Sequence, residues 1–311
     1  MTAAAPHWAD IGESTSVAGI RFLCWVYRWF GRWPFRLCAW PVVACHWLGN
    51  GIGRHASLHY LQRLQTYSGA LGHAPTWRDS LRHFFRFADT LLDKILGLGG
   101  RYSMSRITLQ CEVMKQAIAR GEGGLILTAH IGCLELCQAL AEQVPGFRAT
   151  VLVHTAHAQR FNRLLRRLDP HAVVELVQVT TIGPDTAMAL SRKVAEGGFV
   201  AIVGDRVPVQ GGRTVTADFL GHPAPFPIGA YALAAALACP VYSMACLHHG
   251  DGYAITFERF SARIVLPRGS RDAALAEQVR QFARWLERQV IQSPLDWFNF
   301  FPFWDQAPHA E

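Results

Sequence analysis

The sequence predicts an α/β fold, in which a mostly parallel sheet is flanked by helices and preceded by a helical membrane-binding extension. From about residue 123, short apolar or β-branched runs alternate with stretches that carry apolar residues at helical spacing. The first hundred residues show helical spacing alone. The chain has 311 residues and is 50% hydrophobic, which is enough for a large core, and its mean hydropathy of +0.12 is high for a freely soluble protein. We expect an N-terminal helical membrane-anchor region over residues 1–100 and a single catalytic α/β core over residues 101–311.

The N-terminal region combines positive charge with tryptophan. Residues 14–77 contain no Asp or Glu, so most of the net charge of +7 lies there. The arginines are Arg21, Arg28, Arg32, Arg36, Arg54 and Arg63, interspersed with Trp25, Trp29, Trp33, Trp40 and Trp47. This mixture suits the headgroup boundary of an anionic membrane.

A transmembrane span is marginal in this region, because the uncharged residues 37–53 contain Pro41, His46 and three glycines. No small-residue cleavage site follows a compact apolar segment, which argues against a signal peptide. We therefore expect a monotopic or shallowly inserted anchor on the cytoplasmic leaflet. The alternative is a tryptophan-rich core helix of a soluble protein.

The elements are predicted in order from the periodicity. Helices are expected over residues 54–68 and 76–98, and no repeat or linker divides the rest of the chain. The predicted strands are 123–129, 149–153, 173–179, 199–203 and 240–248, with helices over 133–143, 158–168, 185–196 and 228–238 between them. A strand near 253–260 and a long helix over 271–292 complete the pattern.

His130 and Glu135 stand where the apolar strand 123–129 gives way to a helical pattern. Five residues correspond to about 140° around a helix, so the two side chains meet only if His130 precedes the helix. Gly132 can supply the backbone angles of such a turn. A neutral imidazole oriented by a carboxylate is a general base, and we predict that role for His130 with Glu135 as its partner. The alternative is a buried structural histidine.

The eight cysteines are scattered through apolar runs and are expected to be reduced and buried. His130, Cys133 and Cys137 have a spacing that could offer three zinc ligands, which leaves a zinc-dependent hydrolase as an alternative. No paired motif elsewhere supplies an obvious fourth ligand. We predict no metal and no cofactor.

Two further clusters come after predicted strands. Asp205 and Arg206 stand directly after the strand 199–203, where Asp205 could orient a base or bind an acceptor hydroxyl and Arg206 could pair with a phosphate or carbonyl oxygen. The alternative is an internal salt bridge. In residues 219–230, three prolines predict a stiff apolar loop before a helix, and this loop could form the wall of an acyl-chain or substrate pocket. Its candidate binding residues are Gly221, Pro223 and Pro227, and the alternative is tight helix-to-sheet packing.

Taken in chain order, these motifs resemble the lipid A late acyltransferases, the lauroyl and myristoyl acyltransferases within the wider lysophospholipid and glycerolipid acyltransferase superfamily. The residues that carry the resemblance are Thr128-Ala129-His130 through Glu135, Gly204-Asp205-Arg206, the segment Phe219-x-Gly-x-Pro-Ala-x-x-Pro-x-Gly, Pro240-Val241 and the tail Ser293-Pro-Leu-Asp-Trp-Phe.

The resemblance implies transfer of a fatty acyl group from a thioester of an acyl carrier protein or coenzyme A, which is a co-substrate, to a hydroxyl of a lipid or glycolipid acceptor. It places this reaction at the cytoplasmic face of the bacterial inner membrane. It implies that His130 removes the hydroxyl proton while Glu135 holds the imidazole, and that backbone N–H groups near Gly132 and Cys133 stabilise the oxyanion. Attack is expected to be direct, without an acyl-enzyme, since no Gly-x-Ser-x-Gly motif occurs. A catalytically silent lipid-binding protein of the same fold is the alternative.

The chain departs from the family after the second core strand, where an Arg-Pro is expected and residues 153–162 lack one in register. His154 and Arg160 are the candidates for the missing arginine's role in binding substrate, and the departure favours a divergent branch. Arg160 also begins a basic helix that could dock an acidic acyl carrier protein or lipid phosphate, although a solvated amphipathic helix explains it equally well. No nucleic-acid-binding motif is present, so we expect no nucleic-acid partner.

Overall fold

The computed structural model describes residues 25–98, 101–137, 144–153, 174–178, 183–207 and 212–305. The helices are α1 (Arg32–Gly49), α2 (Gly51–Ser68), α3 (Trp77–Leu98), α4 (Glu112–Ala119), α5 (Pro184–Ala195), α6 (Gly229–Leu237) and α7 (Arg271–Gln292). The strands are β1 (Ile107–Gln110), β2 (Gly124–Thr128), β3 (Ala149–Val153), β4 (Val174–Gln178), β5 (Phe199–Val203), β6 (Thr214–Phe219), β7 (His222–Pro227), β8 (Val241–His249) and β9 (Gly252–Ser261).

The described strands form a seven-stranded sheet in the order β1-β9-β8-β2-β5-β3-β4, and a separate hairpin of β6 and β7. Neighbours in the large sheet are parallel, except that β8 and β9 are antiparallel. The predicted α/β class with a mostly parallel sheet is confirmed. Strand β2 is central, and all five of its residues are buried, as expected for a parallel strand covered on both faces.

The register of the central strands determines which loops meet. Thr128 at the end of β2 pairs with Val203 at the end of β5, so the residues after both strands emerge at one edge of the sheet. Strand β8 lies on the other side of β2 and runs in the same direction. The segments after β2, β5 and β8 therefore share one end of the sheet, where polar side chains can converge.

The N-terminal helices α2 and α3 begin and end within three residues of the predicted helices. Helix α1 is joined to α3 by ion pairs between Arg32 and Asp93 and between Arg36 and Asp89. Two of its three tryptophans face outward, since Trp33 is 73% exposed and Trp40 56%, whereas Trp47 is half-buried and donates to Ser80 Oγ of α3. A tryptophan-rich core helix is therefore excluded for this part of the chain.

No helix of the described residues is long and apolar enough to cross a membrane. Three predictions extend outside the described residues. They are the anchor region over its residues 1–24, the helix 133–143 over its residues 138–143, and residues 154–173, which include His154, Arg160 and the predicted basic helix.

The prediction that the proline-rich segment forms a stiff loop is wrong, because most of the segment lies in a β-hairpin. Residues 214–227 form the antiparallel hairpin of β6 and β7, with Phe219 opposite His222. Pro223, Pro225 and Pro227 occupy every second position of β7, so the missing N–H groups all fall on the side away from β6. An edge strand tolerates proline in this arrangement.

Candidate active site

His130 lies in a tight turn that depends on Gly132. Gly132 has φ +60°, and a Cβ there would lie 1.7 Å from the carbonyl oxygen of Cys246. Only glycine fits both the backbone conformation and the approach to β8. The predicted role of Gly132 in the turn is confirmed, but the helix expected after it begins as a 3₁₀ turn over Leu134–Leu136.

Asp205 holds His130 by two hydrogen bonds. His130 Nδ1 lies 2.8 Å from Asp205 Oδ1, and the His130 backbone N–H donates to Oδ2 at 3.0 Å. A carboxylate only accepts hydrogen bonds, so Nδ1 carries the proton and Nε2 carries the lone pair. The Asp205 side chain is buried, whereas the His130 side chain is 33% exposed. This tautomer can accept a proton at Nε2 from a group in the site.

Asp205 is also bonded to Trp297, whose indole Nε1 donates to Oδ2 at 2.9 Å. Both residues are buried. Oδ2 therefore accepts two N–H groups and Oδ1 one, which fixes the carboxylate in its plane.

Glu135 has a different partner from the one expected. Its Oε1 lies 2.5 Å from Lys94 Nζ on α3, and the Glu135 side chain is 28% exposed. The carboxylate that is hydrogen-bonded to the imidazole is Asp205, so the expected direct pairing of Glu135 with His130 is corrected. The 3₁₀ turn directs Glu135 toward α3, and its remaining effect on His130 is through charge.

The charges in the site favour a neutral imidazole beside an ionised carboxylate. Burial and the charge of Arg206 lower the pKa of His130 from its usual 6.5, and the Asp205 and Glu135 carboxylates oppose this. Burial alone would raise the pKa of Asp205, but the charge and hydrogen bond of His130, with Arg206 and Trp297, bring it below its usual value. The pair is therefore a neutral base next to an anion at neutral pH.

Arg206 brings a half-buried positive charge to the site. Its Nη2 lies 3.4 Å from the carbonyl oxygen of Phe298, and its Cζ lies 5.7 Å from the centroid of the Phe301 ring. Burial lowers the pKa of Arg206, and the charge of Asp205 opposes that effect. An arginine remains protonated under these conditions and can stabilise an anion.

The backbone N–H groups expected to stabilise an oxyanion are both committed elsewhere. Gly132 N–H donates to the carbonyl of Asp296 at 2.8 Å, and Cys133 N–H donates to the carbonyl of Cys246 at 3.0 Å. These bonds join the turn to its two neighbouring segments. The expected backbone oxyanion hole at Gly132 and Cys133 is therefore wrong.

The proline-rich candidates lie on the β6–β7 hairpin. Gly221 forms its turn with φ +75° beside the Tyr67 ring, Pro223 is exposed and Pro227 is buried. The hairpin reaches the site through Phe219, whose ring centroid is 5.2 Å from that of Trp297. The structure does not bring Gly221, Pro223 or Pro227 into hydrogen-bond contact with the described His130–Asp205 pair, and their binding role stays a prediction.

Sequence reasoning missed a second histidine–aspartate pair. His248 Nδ1 and its backbone nitrogen each lie 2.7 Å from an oxygen of Asp296, and Ser293 Oγ donates to the same carboxylate at 2.7 Å. Trp297 was also missed. The available signal was the tail Ser293-Pro-Leu-Asp-Trp-Phe, because a carboxylate that is buried beside aromatic residues needs hydrogen-bond partners.

Across the described parts of the chain, no three His, Cys, Asp or Glu side chains are grouped closely enough to hold a metal ion. The zinc alternative built on His130, Cys133 and Cys137 gains no support.

Comparison of the sequence with models of known protein families gives a match to one family. Residues 103–306 match the model of a family described as bacterial lipid A biosynthesis acyltransferase. No curated protein matches the chain. The matched range contains β1 to β9, the His130 turn, Asp205 and the tail residues Asp296 and Trp297, and it covers well over half of the chain. The chain belongs to the bacterial lipid A biosynthesis acyltransferase family.

Proposed function

We propose that this protein transfers a fatty acyl group from a thioester, of an acyl carrier protein or coenzyme A, to a hydroxyl of a lipid or glycolipid acceptor at the cytoplasmic face of the inner membrane. The observation that carries the proposal is the His130–Asp205 pair, with 2.8 Å between Nδ1 and Oδ1, in a chain of an acyltransferase family. A buried carboxylate and a partly exposed neutral imidazole are the parts of a general base.

The reaction needs one proton to be moved twice. His130 Nε2 accepts the proton of the acceptor hydroxyl as its oxygen attacks the thioester carbonyl carbon, which gives a tetrahedral oxyanion. Collapse of that intermediate forms the ester, breaks the carbon–sulfur bond and returns the proton from Nε2 to the departing thiolate. Asp205 offsets the charge of the imidazolium while the proton is held there.

Arg206 is our candidate for binding an anion in this reaction. It is a half-buried cation next to Asp205, and the turn N–H groups of Gly132 and Cys133 are engaged with other carbonyls. We propose that Arg206 stabilises either the tetrahedral oxyanion or a phosphate of the acceptor. Glu135, held by Lys94, adds negative charge near the imidazole and remains a candidate catalytic residue.

We further propose that the outer face of α1 lies in the headgroup layer of an anionic membrane. The support is the exposure of Trp33 and Trp40 on a helix that carries arginines. Trp33→Ser with Trp40→Ser should lower binding to vesicles rich in phosphatidylglycerol. Met188→Ser, at an exposed apolar residue of α5, is the matched control. Equal binding by both variants would contradict the membrane assignment.

The function is tested by mass spectrometry of total lipids from cells that lack the protein, complemented with wild type or His130→Ala. We expect one lipid to lose an acyl-chain mass in the deletion and to regain it only with wild type. That result would also identify the acceptor. Rescue by His130→Ala would exclude His130 as the base and would support a lipid-binding protein without catalysis.

A further inference from the structure

Residues 296–298, here called the strap, run alongside the His130 turn. The Asp296 carbonyl accepts from Gly132 N–H at 2.8 Å, and Phe298 N–H donates to the His130 carbonyl at 3.0 Å. Between these bonds, Ile131 and Trp297 form an antiparallel bridge. The strap thus fixes the backbone on both sides of the imidazole.

The middle residue of the strap also reaches the carboxylate. Trp297 is fully buried, and aromatic rings surround it: Tyr60 at 4.9 Å, Phe303 at 5.1 Å and Phe219 at 5.2 Å between centroids. Its indole N–H is directed out of this cluster onto Asp205 Oδ2 at 2.9 Å. A buried indole held on several sides has one orientation, so its N–H is a fixed donor.

We propose that Trp297 is a positioning residue for the reaction: it holds the Asp205 carboxylate so that Oδ1 stays aligned with His130 Nδ1. This inference rests on the proposed role of His130 as the base. Oδ2 is shared by the His130 backbone N–H and the indole, and removal of the indole donor leaves it with one partner. The carboxylate can then rotate away from Nδ1 or attract water, and the imidazole loses its fixed orientation.

The backbone of Trp297 is held from the N-terminal helices. His83 Nε2 donates to the Trp297 carbonyl at 2.9 Å, and Ser57 Oγ donates to His83 Nδ1 at 3.0 Å. Burial lowers the pKa of His83 to about 4, so this histidine stays neutral near pH 7 and keeps one tautomer. Ser57 of α2 and His83 of α3 thus fix the strap to the N-terminal helices.

The test compares Trp297→Phe with Trp304→Phe. Trp304 belongs to the same aromatic cluster, with its ring centroid 6.1 Å from that of Trp297, but its N–H donates to the carbonyl of Phe219 at 3.3 Å. Both variants lose an indole and a hydrogen bond, and only one loses the bond to Asp205. Replacement of Trp297 by benzothienylalanine, which keeps the shape and removes the N–H, decides the question if Trp297→Phe does not fold.

The decisive readout is the pKa of His130, measured by labelling with diethyl pyrocarbonate across pH. The tryptic peptide of residues 121–148 contains His130 as its one histidine, so mass spectrometry reads this residue alone. The charged groups that act on His130 are Asp205, Arg206 and Glu135, with Lys94 as the counter-ion of Glu135. When the indole donor is lost and the carboxylate rotates away from Nδ1, the charge and hydrogen bond of Asp205 that raise the pKa of His130 weaken, so this pKa falls.

We expect Trp297→Phe to lower that pKa by about half a unit or more and to lower kcat about tenfold, with KM for the thioester within about twofold. Trp304→Phe should leave the labelling profile of His130 unchanged. Identical profiles for the two variants, or an unchanged profile with benzothienylalanine, would overturn the proposal. A failure of the proposed function would give a different result. If His130 is not the base, His130→Ala keeps its activity, while the two tryptophan variants still differ in the labelling of His130.

Discussion

Replacement of Asp205 by asparagine tests the proposed catalytic pair of His130 and Asp205 most directly, because it removes the charge and keeps the shape. Asparagine has one acceptor oxygen and one NH₂ group, so it can reproduce only part of the present arrangement. Its oxygen can take the position of Oδ2, where the His130 backbone N–H and the Trp297 indole now donate at 3.0 and 2.9 Å. The NH₂ group then faces His130 Nδ1.

The opposite orientation is far less favourable. It would leave two buried N–H donors without an acceptor, at about 1–3 kcal/mol each. The side chain at position 205 therefore presents NH₂ to the imidazole, Nδ1 becomes the acceptor, and the proton moves to Nε2. A histidine in that tautomer cannot take a proton from the acceptor hydroxyl. Loss of general base catalysis corresponds to a fall in kcat of about 10²–10⁴.

The assay is acyl transfer from a thioester to the acceptor by the purified protein, with thermal unfolding followed by circular dichroism. Asp205→Asn should remain folded, since three hydrogen bonds can still form at the site. Asp218→Asn, the same change at an exposed carboxylate on β6, is the control and should keep full activity. A folded Asp205→Asn protein that retains more than about a tenth of the wild-type kcat would refute the tautomer argument.

Three further predictions concern the same turn. Because the pKa of His130 is lowered from 6.5, kcat/KM should rise with pH to a half-maximum below pH 6.5 and stay level above it. Glu135→Gln should lower turnover, leave thioester binding intact in a pull-down, and move that half-maximum to lower pH, since the Glu135 charge raises the pKa of His130. Gly132→Ala should lower the free energy of unfolding in urea by more than about 2 kcal/mol, because its Cβ would lie 1.7 Å from the Cys246 oxygen.

Local periodicity was sufficient for the core of the sheet. Strands β2, β3 and β5 are short runs of apolar and β-branched residues that lie buried in a parallel arrangement, and such runs are visible without knowledge of their neighbours. Strand β1 was not predicted, because a run of four residues with alternating partial exposure is too short to give a periodic signal. The hairpin was not predicted, because proline normally argues against a strand. Only the geometry of an edge strand permits proline in β7.

The partner of His130 depends on strand order, which periodicity does not contain. His130 lies two residues after the end of β2 and Asp205 lies two residues after the end of β5, and Thr128 pairs with Val203. Once β2 and β5 are known to be adjacent and in this register, the two side chains must emerge at the same level. Sequence alone favours the acidic residue nearest in the chain, and it therefore points to Glu135.

Comparison with the second pair, His248 and Asp296, shows that a general base needs an accessible imidazole as well as a hydrogen-bonded carboxylate. In both pairs one carboxylate accepts from the ring Nδ1 and lies within hydrogen-bond distance of the backbone nitrogen, at 2.7–3.0 Å. The His130 side chain is 33% exposed, whereas that of His248 is 10% exposed and its Nε2 is buried. A substrate hydroxyl can approach the first imidazole but not the second. Asp296 instead anchors the strap through His248 and Ser293, and its carbonyl holds the turn at Gly132. The same geometry therefore suits the proposed chemistry after β2 and orders the backbone at β8.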